Sequence, residues 1–320
     1  MRALACRLLG SLLSAGLLAL SSASAAPLVF ATNQKSNTVS VIDTATRQVL
    51  KTIPVGNQPA GVSVTPDGRF TLVSNPGDGT VSVISVDSLS VVKQFETGPG
   101  PLAILATDQS AYVADWHANK VQVFSTKSWQ LIGEIPTGKA PSGLAYDPDE
   151  QILFVAVRDE NQVLRINAQT LSVVATAATG ERPFGITFDP HLRRIYTANV
   201  ASNTVTVLDS KSLTRLGEIA VGERPYAVGV ALQGTRAFST NQYDDSLSVI
   251  DTASLTVTQT IEVGEYPEGI DTHPHDEQIW VANWFDNSMT VVDARTLDVI
   301  VTIPTGDGTR AYGNFFAPPY

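Results

Sequence analysis

A Gly-x-x-Pro element occurs at Gly56, Gly98, Gly138, Gly180, Gly222 and Gly264, at spacings of 42, 40, 42, 42 and 42 residues. A seventh copy starts at Gly306, with Thr309 in the proline's place. A period of this length held seven times limits the chain to solenoids, propellers or related arrays, because one such unit cannot bury its own apolar face and must stack on its neighbours. A second element, an apolar-x-small-Asn ending, keeps the same step at Asn33, Asn75, Asn199, Asn241 and Asn283, while Asp115 and Val157 fill the two remaining slots. The repeats occupy nearly everything after residue 26, which leaves no room for a second domain.

Within a unit the hydrophobic period is two. "TVSVID" (Thr38–Asp43), "TVTVLD" (Thr204–Asp209) and "SLSVID" (Ser246–Asp251) alternate small polar residues with branched apolar ones, the pattern of a half-buried strand. "TPDG" at Thr65, "DPDE" at Asp147 and "DPHL" at Asp189 are tight turns, in which proline presets φ and aspartate caps through its side chain. Each unit then holds four short strands, and the expected fold is all-β: a seven-bladed β-propeller of four-stranded antiparallel blades. The ring closes by sharing one blade between the termini, since "PLVFATN" stands at a second-strand position and the late "RAYGNFF" at a first-strand position. Closure also removes the two exposed edges that an open array would carry.

The Gly-x-x-Pro connections, the "YTAN"-type strand ends (Tyr196–Asn199) and the "VSVID"-type third strands (Val39–Asp43) resemble the YVTN-repeat β-propellers, including the YncE-like periplasmic proteins. The resemblance runs from about Pro27 to Phe316. It implies the propeller fold and a place in the periplasm, but no particular activity, since function resides in sites grafted onto a fold.

The first 25 residues read separately. Arg2 and Arg7 precede the apolar run Leu8 to Leu20, and Ala23-Ser24-Ala25 supplies a small-x-small cleavage signal, so residues 1–25 are expected to be a signal peptide and 26–320 a single exported propeller domain. The apolar run is shorter than a bilayer span, so no membrane insertion is expected. The only cysteine, Cys6, lies in that leader, which leaves no disulfide or thiolate chemistry downstream. Without Arg2 and Arg7 the chain has 19 basic and 31 acidic residues, a formal charge of −12. That balance disfavours nucleic acid as a partner.

Residues that recur in every unit are explained by what a blade needs, whereas residues that break the repeat on one face are free to serve function. The recurring Asn is expected to bond the following turn's backbone or to tolerate left-handed φ, and the recurring Gly to supply conformational freedom. Asp43, Asp209, Asp251 and Asp293 end third strands and are expected to cap the next turn. The exceptions gather on the connections into the innermost strands and on the loops after the second strands, which share the face around the channel mouth. They are Arg182, Arg224, Arg310, Phe184, Tyr226 and Glu268 from the connections, and Trp116, His117, Arg158, Tyr243, Trp284 and Phe285 from the loops. Lys139, Tyr266, Asp159, Gln242 and Asp286 fall in the same slots.

Arginine forks recognise carboxylate or phosphate, and aromatic rings supply flat apolar contact. The leading expectation is therefore a monomeric binding or interaction protein taking a small anionic or aromatic molecule, or a partner protein, at this face, with no catalytic residues and no cofactor. The competing reading is a solvated rim of arginine–glutamate pairs with some aromatics plugging the channel. A metal-dependent lactonase-type hydrolase is the alternative from another class, with calcium held by Glu268, Asp159, Asp286 and asparagine oxygens. Single-stranded nucleic-acid binding is a further alternative. His191, His273 and His275 fall in turns on the opposite face, and Trp129 and Trp280 are expected in the core.

Overall fold

The computed structural model describes residues 26–318, and the expected signal peptide lies outside the described residues. Seven sheets form a seven-bladed ring. Blade 1 combines residues 28–54 with the late strand Phe316–Ala317; blades 2 to 7 span residues 61–96, 101–136, 141–178, 183–220, 225–262 and 267–304. Within each blade successive strands pair antiparallel from the channel outward, and among the described residues the sole helical turn is Arg158–Glu160.

The middle strands are packed on both faces, not half-buried. In Thr38–Asp43 and Thr204–Asp209 all four central residues are buried, because each blade is covered by a neighbour on either side. The small polar residues of the alternation therefore need partners, and the recurring asparagine supplies them. Asn199 Nδ2 donates to Thr204 Oγ1 at 2.9 Å and Thr206 Oγ1 at 2.8 Å. Asn33, Asn75, Asn241 and Asn283 repeat the same two bonds to hydroxyls five and seven residues on. The asparagine thus secures a buried strand pair, not the turn backbone, and it does not adopt positive φ.

The recurring glycine is likewise required for a different reason. A Cβ on Gly56, Gly222 or Gly264 would lie within 2.6 Å of the amide of Asn75, Asn241 or Asn283, so glycine is there to let the connection close over the asparagine. Where the asparagine is missing the device changes. In blade 3 Asp115 accepts the His117 and Ala118 amides, and Gln122 Oε1 takes over the Gly98 amide. In blade 4, beside Val157, Gly138 adopts φ 90°, whereas its neighbour Lys139 keeps the amide bond to the side chain 21 residues on that the asparagine-bearing blades also make. Asp43, Asp209, Asp251 and Asp293 cap their turns as expected, each accepting an amide three residues on.

Ring closure repeats the glycine–asparagine contact across the two ends of the ring, since the Gly306 amide donates to Asn33 Oδ1 at 3.2 Å. The closing segment differs from expectation in one respect. "RAYGNFF" does not form one innermost strand: Phe316–Ala317 pairs with Leu28 and Val29 of blade 1, while Tyr312–Asn314 runs parallel to Gly61–Ser63 of blade 2. The segment therefore enters the channel. The Tyr312 hydroxyl lies 3.1 Å from the Ser142 carbonyl and 3.0 Å from that of Phe184, on the opposite side of the ring. Trp280 is fully buried, and Trp129 is partly buried against Phe70 and Phe95.

Candidate functional site

The connections that carry the mouth-face residues are rigid. Arg182, Arg224 and Tyr266 sit in the left-handed region at φ 55°, 53° and 58°. Their amides donate to Asn161, Asn203 and Asp245 side chains at 2.8, 2.9 and 2.8 Å. These partners, four residues after each second-strand ending, lock each connection to the preceding blade and fix where its side chain leaves the backbone.

The expected site residues fall into three groups. Phe184 and Tyr226 are buried and, with Tyr312, plug the channel, at ring separations of 4.3, 5.3 and 5.4 Å. They are packing residues, because a ring this wide leaves an axial space that large side chains must fill. On one sector of the mouth, Arg158 lies 5.0 Å from the Trp116 ring centroid and pairs with Asp159 at 2.9 Å. His117 is placed there by its amide bond to Asp115. Arg182 is exposed and makes no ion pair among the described residues.

The third group builds a pocket of about 680 Å³ between blades 6, 7 and 1. Its wall is aromatic: Tyr243 to Tyr266 is 5.8 Å, Tyr266 to Phe285 is 5.1 Å and Trp284 to Phe285 is 4.7 Å, mostly edge-to-face. Tyr243 and Phe285 are each 52% exposed. The floor is a buried polar cluster in which Arg310 Nη2 and Nε donate to the Tyr226 hydroxyl at 2.6 and 3.1 Å. Arg310 Nε lies 2.9 Å from Glu268 Oε2, and Gln242 Nε2 donates to Glu268 Oε1 at 3.0 Å. Burial pushes the Glu268 carboxyl above its ordinary range, with the Arg310 guanidinium and Gln242 pulling the other way. Burial also raises the Tyr226 hydroxyl, so it stays a neutral acceptor for Arg310.

Charge around the pocket differs from the sequence expectation. Arg310 is the one arginine that lines it, and Glu268 neutralises it, while Glu223, Asp245 and Glu265 line the rim. Arg224 is turned onto Tyr243, 4.7 Å from the ring centroid. Sequence reasoning missed Lys35, which sits over Trp284 at 3.8 Å and Phe285 at 5.3 Å. It also missed Gln34, whose Oε1 accepts the Trp284 indole N–H at 3.1 Å. Both lie in the second-strand loop of blade 1, the slot that supplied every other candidate loop residue, and ring closure brings them against blade 7.

On the opposite mouth, Asp271 lines a second pocket of about 480 Å³, and burial pushes its carboxyl up to about 7 against the pull of its backbone hydrogen bonds. It accepts the Phe315 amide at 2.9 Å. His273 and His191 line the same pocket, and burial holds the His273 imidazole below its usual value.

No family model matches the chain, and no curated protein does. Solved structures share the ring. Kuenenia stuttgartiensis hydrazine synthase superposes with a TM-score of 0.77 at 18% identity, over 89% of this chain and 100% of that one. A functionally unknown protein from Desulfotomaculum acetoxidans DSM 771 gives 0.77 at 17% identity, over 89% and 99%. Dihydro-heme d1 dehydrogenase NirN in complex with DHE gives 0.65 at 15% identity, over 88% and 74%. At these identities the likeness shows the seven-bladed fold alone.

Proposed function

We propose that this chain is an exported propeller of the YVTN-repeat type that works as a monomeric binding protein, taking a small aromatic molecule or a partner protein at the channel-mouth face. The supporting observation is the aromatic wall of Tyr243, Tyr266, Trp284 and Phe285 over a pocket whose floor is already hydrogen-bonded. Two large half-exposed rings, Tyr243 and Phe285, each packed on Tyr266, present apolar area to water, and a flat ligand would cover it. Outside the pocket lining, Arg182 and Arg224 are mouth-face arginines that make no ion pair among the described residues, whereas Arg310 is matched by Glu268. The lactonase-type alternative draws less support. Glu268 is committed to Arg310 and Gln242, and among the described residues no three histidine, aspartate or glutamate side chains converge as a metal-binding group.

Native mass spectrometry of the protein purified from its export compartment, with metal analysis on the same sample, tests this reading. An aromatic ligand that co-purifies and is lost on Tyr243→Ala is the expected result. Stoichiometric calcium would instead favour the hydrolase.

A further inference from the structure

We infer that the aromatic pocket between blades 6, 7 and 1 is an ammonium-binding site, and that Lys35 is its built-in occupant. This deepens the proposal of a mouth-face binding site and rests on it. It assigns the ligand a positive charge, which nothing in the sequence pattern suggested.

Three observations converge. The Lys35 ammonium sits 3.8 Å from the Trp284 centroid, inside the range at which a ring quadrupole attracts a cation, and 5.3 Å from Phe285. Lys35 is exposed and makes no ion pair among the described residues, and its ammonium is placed against the two rings. Four carboxylates and one guanidinium line the pocket, the one buried carboxylate is matched by that guanidinium, and the Arg224 guanidinium rests on the Tyr243 ring at 4.7 Å. Among the described residues the Glu223 and Glu265 carboxylates make no hydrogen bond or ion pair, and both residues line the pocket. Aromatic faces backed by free carboxylates suit an alkylammonium, whether a quaternary amine or a lysine side chain of a partner protein. The same field repels a carboxylate or phosphate. Lys35 fits as an intramolecular stand-in that an incoming cation displaces.

The test titrates the full chain with choline and with its uncharged carbon isostere, 3,3-dimethylbutan-1-ol, following tryptophan fluorescence and heat. Choline is expected to bind at least about 10-fold more tightly than the isostere, the order of a desolvated cation–π contact. Lys35→Met should tighten choline several-fold by vacating the site, while Phe285→Ala and Trp284→Ala should weaken it; Phe285 is half-exposed, so its removal leaves folding intact. A capped Ala-Lys-Ala peptide against its norleucine counterpart identifies the source: preference for the lysine peptide points to a partner protein, preference for choline to a small amine. Equal binding of choline and isostere overturns the charge assignment while leaving the mouth a binding site. Failure of both choline and the lysine peptide, or weaker binding in Lys35→Met, overturns the inference outright. The aromatic-ligand reading is judged separately by the Tyr243→Ala mass spectrum.

Discussion

Replacing Arg310 by methionine isolates the electrostatics of the pocket floor. In the native protein the guanidinium gives two hydrogen bonds to Tyr226 and stands 2.9 Å from the carboxylate of Glu268, which is 5% exposed. Removing it leaves a buried carboxylate with only the Gln242 amide, and stranding one member of such a pair costs about 3–5 kcal/mol. The cost depends on pH in a defined direction. Burial already raises the Glu268 carboxyl in the folded state, so its contribution to stability is present below the ordinary glutamate value and is lost as pH rises through the folded value. Without Arg310 that folded value climbs further, so Arg310→Met should be most damaging at pH 8 and milder at pH 5. The double variant Glu268→Gln/Arg310→Met, which removes both charges, should recover most of the loss, since replacing a whole buried pair is often neutral. Urea unfolding followed by tryptophan fluorescence at the two pH values reads Arg310→Met, Glu268→Gln and the double variant. Additive losses in the double variant, or a penalty for Arg310→Met that does not change with pH, would show that Arg310 acts through packing on Tyr226.

Three further outcomes follow from the geometry. Asp271→Asn should flatten a fall in stability between about pH 4 and pH 7, because a carboxyl raised in the folded state to about 7 keeps the native protein better protonated than the unfolded chain across that window; an unchanged pH–stability curve would show that Asp271 is effectively solvated. Gly222→Ala should destabilise by about 1–3 kcal/mol through the clash with Asn241, with Gly222→Ala/Asn241→Ala coupled and not additive, as denaturant midpoints would show. Arg182→Ala and Tyr243→Ala should shift thermal unfolding by no more than about 2 °C, since both side chains are exposed; a large drop in either would mean that it packs.

The fold was legible because a strict period needs no knowledge of contacts. Position in the repeat already told which loops share a face, and Trp116, His117, Tyr243 and Trp284 lie where that logic put them. What each recurring residue does was less legible. Asn199 bonds hydroxyls on the next strand and Gly222 makes room for Asn241, and both facts depend on a blade being covered on two sides, which a single unit's alternation does not reveal. The candidate site was split for a related reason. Arg310 and Glu268 are 42 residues apart and look like equivalent rim residues, yet they meet beside the channel and cancel. Phe184 and Tyr226 look like the exposed aromatics, but the axial space draws them inward. Lys35 and Gln34 reach Trp284 only across the closed seam, so that contact has no local signature.

The segment from Thr309 to Ala317 changes how the ring should come apart. In a stacked array each unit senses only its neighbours, and stability is a sum of short-range terms that permits fraying one unit at a time. Here one stretch of chain, through its backbone and the Arg310 and Tyr312 side chains, simultaneously engages the Thr32 carbonyl of blade 1, Gly61 of blade 2, Ser142 of blade 4, Phe184 of blade 5, Tyr226 of blade 6 and Asp271 of blade 7. A hub of that kind couples distant blades directly. Opening any one of them loosens the fasteners of the others, so amide exchange should report a single cooperative unit around the axis, with independent opening confined to the solvent-facing outer strands.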